Sequence, residues 1–258
     1  MKTNETAFAN AVEWLANARR VVVFTGAGVS AESGIPTFRD QLSGFWAQFD
    51  PAQLATPTAF RNDPALVWGW YEWRRALLAQ AHPNAAHVAI AALVRHVPEL
   101  VLVTQNVDDL HERAGSKEVI HLHGSLHMAR CFACARPHAL PKCPSPETSA
   151  SRLEPPRCCH CNGRVRPGVV WFGEELPEAE LRSAFKAARN ADLLLSIGTS
   201  GVVYPAARIP EIACEHGAHV VHVNTEPVDT AVATSLTGRA GEWLPRLLRA
   251  AFGASADL

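Results

Sequence analysis

Two cysteine pairs carry the most specific chemistry in this chain. Cys131-Phe-Ala-Cys134 and Cys158-Cys-His-Cys161 are C-x-x-C knuckles joined by the proline-rich stretch 135–157. Four thiolates close a tetrahedral zinc and leave no coordination position open, so the predicted site is structural. Cys143, Cys159, His138 and His160 are nearby competitors that belong to no paired knuckle. A second group suits acid–base chemistry. His121 and His123 alternate in HLHG and share one face of a presumed strand, so periodicity does not choose between them. Either imidazole could take a proton near neutral pH, although a single histidine among twelve is ordinarily a surface or core residue. Gln105, Asn106 and Asp108 follow an apolar run and should project from its carboxyl end into a cleft, or else simply form a turn. A third group could grip an anion: in WGWYEWRR (68–75), Tyr71 and Arg74 lie three apart on a predicted helix. Tyr71 with Arg75, or Trp70 with Arg74, would serve that geometry almost as well, and the tryptophans are expected to pack the helix.

These groups need a scaffold. Near-continuous apolar runs at 21–24, 100–104, 193–197 and 220–223 are each followed by Gly, Asn or Ser, the pattern of parallel strands buried on both faces with functional loops at their carboxyl ends. Helical patterns at 65–81, 85–97, 178–189 and 206–216 alternate with them, and the N-terminus resembles a short amphipathic helix. The fold class is therefore α/β: a Rossmann-like parallel-sheet domain carrying a smaller module built from a helical insertion and a zinc-binding insertion. The expected boundaries assign 1–39, 82–126 and 168–258 to the sheet domain, 40–81 to the helical insertion and 127–167 to the zinc insertion. After the first strand, TGAGVSAESGIPTFRD (25–40) supplies Gly26 and Gly28, which let the backbone turn tightly and approach a phosphate. The spacing is not G-x-G-x-x-G and no acidic residue ends a second strand, which disfavours an ordinary dehydrogenase.

Bulk properties narrow the class. The 258 residues are 48% hydrophobic and 19% charged, with a formal net charge of −1, so no global field favours nucleic acid or an anionic membrane. No membrane span or signal peptide is expected, and seven cysteines, six of them within 31 residues, predict a metal site in a reducing cytoplasm. Partners are expected to exclude nucleic acid and membrane, and a monomer is expected.

GAGVSAESGIPTFR, TQNVDDLH (104–111), HLHGS (121–125), VVWFGE (169–174), GTS (198–200) and VNTEP (223–227) together resemble the sirtuins, NAD-dependent protein lysine deacylases, in the family's order. The resemblance implies NAD as a consumed co-substrate, one structural zinc on Cys131, Cys134, Cys158 and Cys161, and acyl-lysine proteins or peptides as substrates. It implies cofactor contacts from Gly26, Ala27, Gly28, Ser33, Gly34, Ile35, Phe38, Arg39, Gly198, Thr199, Ser200 and Asn224. Gln105 and Asn106 would hold the nicotinamide ribose, and Asp108 the departing carboxamide. The general base would be the histidine directly before glycine, His123. In the implied reaction the substrate's acyl oxygen displaces nicotinamide, His123 activates the ribose, and lysine and O-acyl-ADP-ribose are released. FRDQLSGFW holds one residue more between Arg39 and Trp46 than the commoner family spacing.

The resemblance also places an acyl-lysine peptide beside VVWFGE, with Val170, Trp171 and Phe172 lining the lysine tunnel; by pattern alone that stretch is a buried strand leading into a helix. The family's acidic-deacylase branch carries Tyr-x-x-Arg in the helical insertion, matched by Tyr71 and Arg74, and a small residue sixteen positions earlier, here Ala55. Preference for succinyl, malonyl or glutaryl lysine over acetyl lysine is thereby expected. A sirtuin deacetylase without that preference, a sirtuin-like protein ADP-ribosyltransferase, and a non-enzymatic nucleotide sensor are the alternatives; the last has no need of a general base.

Overall fold

The computed structural model describes residues 4–37, 44–140, 152–228 and 233–253. Six parallel strands form the main sheet in the order β3-β2-β1-β7-β8-β9. They are β1 (Arg20–Thr25), β2 (Glu99–Thr104), β3 (Ile120–His121), β7 (Leu193–Ile197), β8 (His219–Asn224) and β9 (Thr234–Thr237). The β-branched run in β1 is buried on both faces, and its alternate residues go to opposite sides, as the pleat demands. Val21 and Val23 pack under α1 (Asn4–Asn17), α6 (Ala85–Ala92) and the C-terminal α10 (Ala240–Phe252). Val22 and Phe24 pack under α8 (Glu178–Asn190) and α9 (Arg208–Glu215).

Strand order fixes where a ligand can sit. From β1 the chain crosses to β2 on one side, whereas β7 pairs with β1 on the other: Val22 is opposite Val101 in β2 and Leu194 in β7. Loops leaving β1 and β7 diverge at their carboxyl ends, and a crevice opens between them, the topological switch point of an open α/β sheet.

A second core collects the aromatic insertion. The helices α3 (Pro51–Leu54), α4 (Pro57–Asn62) and α5 (Pro64–Gln80) each start on proline after a polar cap, and the caps Asp50, Thr56 and Asp63 accept from Ala52, Ala59 and Leu66 N–H respectively. They bury Trp46, Phe60, Trp68, Trp70 and Tyr71 against Leu126, Val165, Val169 and Trp171. Those last residues come from or follow a three-stranded antiparallel sheet, β5-β4-β6, built from β4 (Gly124–Cys131), β5 (Pro137–His138) and β6 (Val165–Val169).

Three expectations need correction. The helix expected over 85–97 stops at Ala92 and its last turn tightens to a 3-10 turn at Leu93–Arg95. The strand presumed to carry both His121 and His123 ends at His121. Gly124 explains this: it sits at φ +73, and a Cβ there would lie 2.1 Å from the Gly168 carbonyl oxygen, so the chain swings here from the large sheet to the small one. GVVWFGEELP is not a strand running into a helix, because β6 ends at Val169, the backbone turns with Glu174 N–H donating to Trp171 O, and α8 begins only at Glu178. Strand β9 and helix α10 were not foreseen: TSLT has no apolar run to announce a strand. Among the described residues no single helix is long and apolar enough to cross a membrane.

Candidate active site

A cavity of about 970 Å³ lies at the carboxyl ends of β1, β2 and β7 and extends to α5 and the turn after β6. Its floor depends on three glycines. Gly26 N–H donates to Ile197 O (3.0 Å) and Gly28 N–H to Gly198 O (2.8 Å), which draws the loop after β1 onto the loop after β7. A Cβ on Gly28 would lie 2.8 Å from Gly198, and Gly198, at φ +60, would put its own Cβ 2.4 Å from Val29 N. No larger residue fits that approach. Ala27, Ile35, Thr199, Ser200 and Asn224 line the same cavity. Ser33 and Gly34 do not: the Ser33 hydroxyl accepts from Asn84 Nδ2 at 3.0 Å, and Gly34 closes a turn at φ +80. Phe38 and Arg39, and the extra residue that follows them, lie outside the described residues.

At the end of β2 the polar side chains form a relay. Gln105 Nε2 donates to Thr199 Oγ1 (2.8 Å) and Asn106 Nδ2 to Ser30 Oγ (3.0 Å), while Ser30 Oγ donates to Asp108 Oδ2 (3.0 Å). Ser30 thus orients both Asn106 and Asp108, which are 7% and 6% exposed. Burial raises the Asp108 pKa, opposed by the Leu110 N–H and by Ser30. Sequence reasoning missed Ser30, although a polar residue in the first turn after a glycine loop was a usable signal.

The two histidines separate by their hydrogen bonds. His123 Nδ1 lies 2.8 Å from Gln105 O. A carbonyl only accepts, so Nδ1 carries the hydrogen and Nε2 keeps its lone pair. Burial lowers the His123 pKa against the opposing pull of that carbonyl and so favours the neutral ring, which lines the cavity. His121 is engaged at both nitrogens, Nδ1 with Asn106 O (3.1 Å) and Nε2 with Glu112 (2.6 Å). Burial lowers its pKa, but Glu112, the Asn106 carbonyl and Asp108 together outweigh burial and the net direction is upward. His121 is therefore left with no lone pair for a substrate.

At the far end, Ala55, Tyr71 and Arg74 face the cavity together with Val170, Trp171 and Phe172. Arg75, the competitor of Arg74, is withdrawn: its Nη1 reaches both Glu72 carboxylate oxygens at 2.7 and 2.8 Å in a buried pair. Burial lowers the Arg74 pKa while Tyr71 and Asp108 favour its charge, and its guanidinium stands 5.1 Å from the Trp70 ring centroid. Trp70 and Trp73 are cavity walls as well as packing, whereas Trp68 belongs to the core. The turn after β6 is held by Arg166 and Glu174, an ion pair not anticipated because arginine on a short strand carries no motif.

The four knuckle cysteines place their Sγ atoms within 4.8 Å of one another, with Cys131–Cys161 at 3.4 Å and Cys134–Cys158 at 3.8 Å. Tetrahedral ligands about 2.3 Å from zinc stand about 3.8 Å apart, so the residues fit the ion. Each knuckle closes on a left-handed residue, Ala135 (φ 60) and Asn162 (φ 57), whose N–H donates to Cys131 O and Cys158 O respectively. A Cβ on Gly163 would crowd the Sγ atoms of Cys131 and Cys161 at 3.1 and 3.2 Å. Cys159 is exposed and outside the cluster, and Cys143 lies outside the described residues.

The Sir2 family profile matches residues 26–205. NAD-dependent protein deacylase 1 of Pseudomonas aeruginosa is 66% identical over 245 residues, covering 93% of this chain and 98% of that protein. A crystal structure of a Sir2 homolog–NAD complex is 44% identical with a TM-score of 0.83, covering 93% of this chain and 92% of that one. A mutant Sir2 homologue in complex with 2′-O-acetyl ADP ribose is 43% identical with a TM-score of 0.85, covering 96% and 98%.

Proposed function

The chain belongs to the Sir2 family of NAD-dependent protein deacylases, and within that activity we propose a preference for acyl-lysine whose acyl group ends in a carboxylate. The observation that carries this is the placement of Tyr71 and Arg74 on the wall of the cavity that also holds His123, Asn106 and Asp108, with Arg75 neutralised by Glu72. Arginine offers a carboxylate two parallel donors and the phenol a third. Recognising the charge in a desolvated site is worth about 1.5–3 kcal/mol, roughly ten- to a hundredfold, because an acetyl group brings no carboxylate to accept from those donors. Ala55 leaves room beside them.

The roles proposed here are those the family resemblance implies, and the hydrogen bonds are compatible with them. Asn106 and Asp108, fixed through Ser30, orient the nicotinamide end of the co-substrate, and Gln105 with Thr199 flanks the ribose. The loops at Gly26–Gly28 and Gly198–Ser200, with Asn224, hold the phosphates and the adenosine ribose. NAD supplies the ADP-ribosyl acceptor for the acyl group. His123, neutral with its Nε2 lone pair open, takes the ribose hydroxyl proton. Val170 and Phe172 flank the lysine chain. The four cysteines are structural and take no part in the chemistry.

Comparing kcat/KM on acetyl, malonyl, succinyl and glutaryl versions of one peptide tests the preference. The acidic acyl groups are expected to lead by about tenfold or more, and Arg74→Met to remove that lead. Equal values on acetyl and succinyl peptides would reduce the assignment to a deacetylase without acidic preference. An acyl group left on the peptide while ADP-ribose appears on protein would favour the transferase instead.

A further inference from the structure

Trp171 is only 1% exposed, yet its indole N–H has a defined target: Nε1 lies 2.9 Å from the Tyr71 hydroxyl. An indole is a donor only, so the direction of this bond is forced and Tyr71 Oη accepts. A phenol has one hydrogen and two lone pairs. With a lone pair committed to Trp171, the phenol hydrogen must turn away from the indole. Among the described residues Trp171 is the hydrogen-bond partner of this hydroxyl, and Tyr71 lines the cavity that holds Arg74. Burial pushes the Tyr71 pKa up to about 12, so the proton stays on at neutral pH.

The indole is itself held from behind. The Arg166 guanidinium, 3% exposed, lies 3.4 Å from the Trp171 ring centroid. Arg166 Nη1 donates to Glu174 Oε1, and its Nη2 donates to Glu174 Oε2 (2.9 Å) and to Val169 O (2.8 Å). The same Glu174 Oε2 accepts the Trp171 backbone N–H at 2.9 Å. Backbone and ring of Trp171 are thus fixed by one ion pair, while Phe60 closes a further side at 5.3 Å.

We infer that Trp171 is a specificity-determining positioning residue: its indole N–H turns the Tyr71 hydroxyl into a donor aimed at the carboxylate of an acidic acyl group, and Arg166 with Glu174 holds the indole at that angle. This rests on the proposal that the acyl head enters between Tyr71 and Arg74. Without the indole N–H the hydroxyl rotates, and its lone pairs spend part of the time facing the anion.

Steady-state kinetics on succinyl and acetyl versions of one peptide, in the unaltered protein, Trp171→Phe, Tyr71→Phe and the double variant, test this. In Trp171→Phe the ratio of succinyl to acetyl kcat/KM is expected to fall about five- to tenfold, the loss of one oriented hydrogen bond, and to do so through KM for the succinyl peptide. Adding Trp171→Phe to Tyr71→Phe is expected to change the ratio no further. A merely structural Trp171 would lower both substrates together and by the same factor in either background, and that result overturns the inference. Replacing Trp171 by β-(3-benzothienyl)alanine, which keeps the bicyclic shape and lacks the N–H, gives the same readout if phenylalanine unfolds the turn. A ratio near one in the unaltered protein sinks the acidic-acyl proposal and this inference with it; a high ratio that neither replacement moves sinks the inference alone.

Discussion

His121 and His123 show how two like side chains, one residue apart, come to different chemistry through their partners. Glu112 and the Asn106 carbonyl occupy both nitrogens of His121, whereas His123 spends one nitrogen on the Gln105 carbonyl and keeps the other open. His123→Asn is expected to lower kcat by about two to four orders of magnitude, the usual span for a lost general base, with NAD binding retained in equilibrium titrations. Because burial lowers the His123 pKa, the neutral form persists as pH falls through the ordinary histidine range. The acid limb of kcat/KM should therefore break below about 6.5, which a pH–rate profile checks. Periodicity does not see this difference, since it depends on carbonyls that only folding brings alongside the rings.

Helix α5 sorts its own face. Its WGWYEWRR segment buries Trp68, presents Trp70, Tyr71 and Arg74 to the cavity, and turns Arg75 onto Glu72 within the same helix. Side-chain exposures of 9% for Arg75 and 3% for Glu72 make that pair a buried one. Burial raises the Glu72 pKa despite the arginine beside it. Glu72→Gln removes the carboxylate of this buried ion pair and is expected to cost about 3–5 kcal/mol in denaturant unfolding, while the succinyl-to-acetyl ratio of the folded fraction stays as it was. Spacings of three and four offered Tyr71 either arginine as a partner; an acid one turn before Arg75 was the legible clue that Arg75 was already taken.

At the scale of the molecule, the two sheets and three packed cores of the described residues are held by different means. The six-stranded sheet is closed by apolar burial on both faces, whereas the small sheet joins strands on either side of the zinc knuckles. Chelation is expected to release the small sheet, read as a rise in thiol reactivity of Cys131 and Cys158 and a lowered Tm, before the large sheet melts. Acid acts on the large sheet through His222 in β8, whose pKa burial lowers to about 4. The unfolded chain takes up this proton near 6.5 and the folded chain only near 4, so the contribution of His222 is present in full above 6.5 and lost as pH falls toward 4. His222→Gln should make the decline of Tm between those values shallower.

Several features needed nothing beyond the amino-acid order. Buried parallel strands declare themselves as continuous apolar runs, because both faces must be dry, and the C-x-x-C knuckles declare a closed metal site, because a local turn alone brings each cysteine pair together. The α/β class, the glycine loop and the four clustered cysteines were legible for those local reasons, whereas Asn106 and Asp108 were singled out by the family resemblance. What the order of residues did not reveal was set by contacts between distant segments. Ser30 meets Asn106 and Asp108 only once β1 lies beside β2, and Arg166 and Glu174 acquire a purpose only when the turn after β6 folds over the guanidinium. Tyr71 and Trp171, a hundred positions apart, share a hydrogen bond only because the aromatic core docks α5 on the small sheet. Local chemistry named the candidate residues, and tertiary packing decided which lone pairs and protons they had left to use.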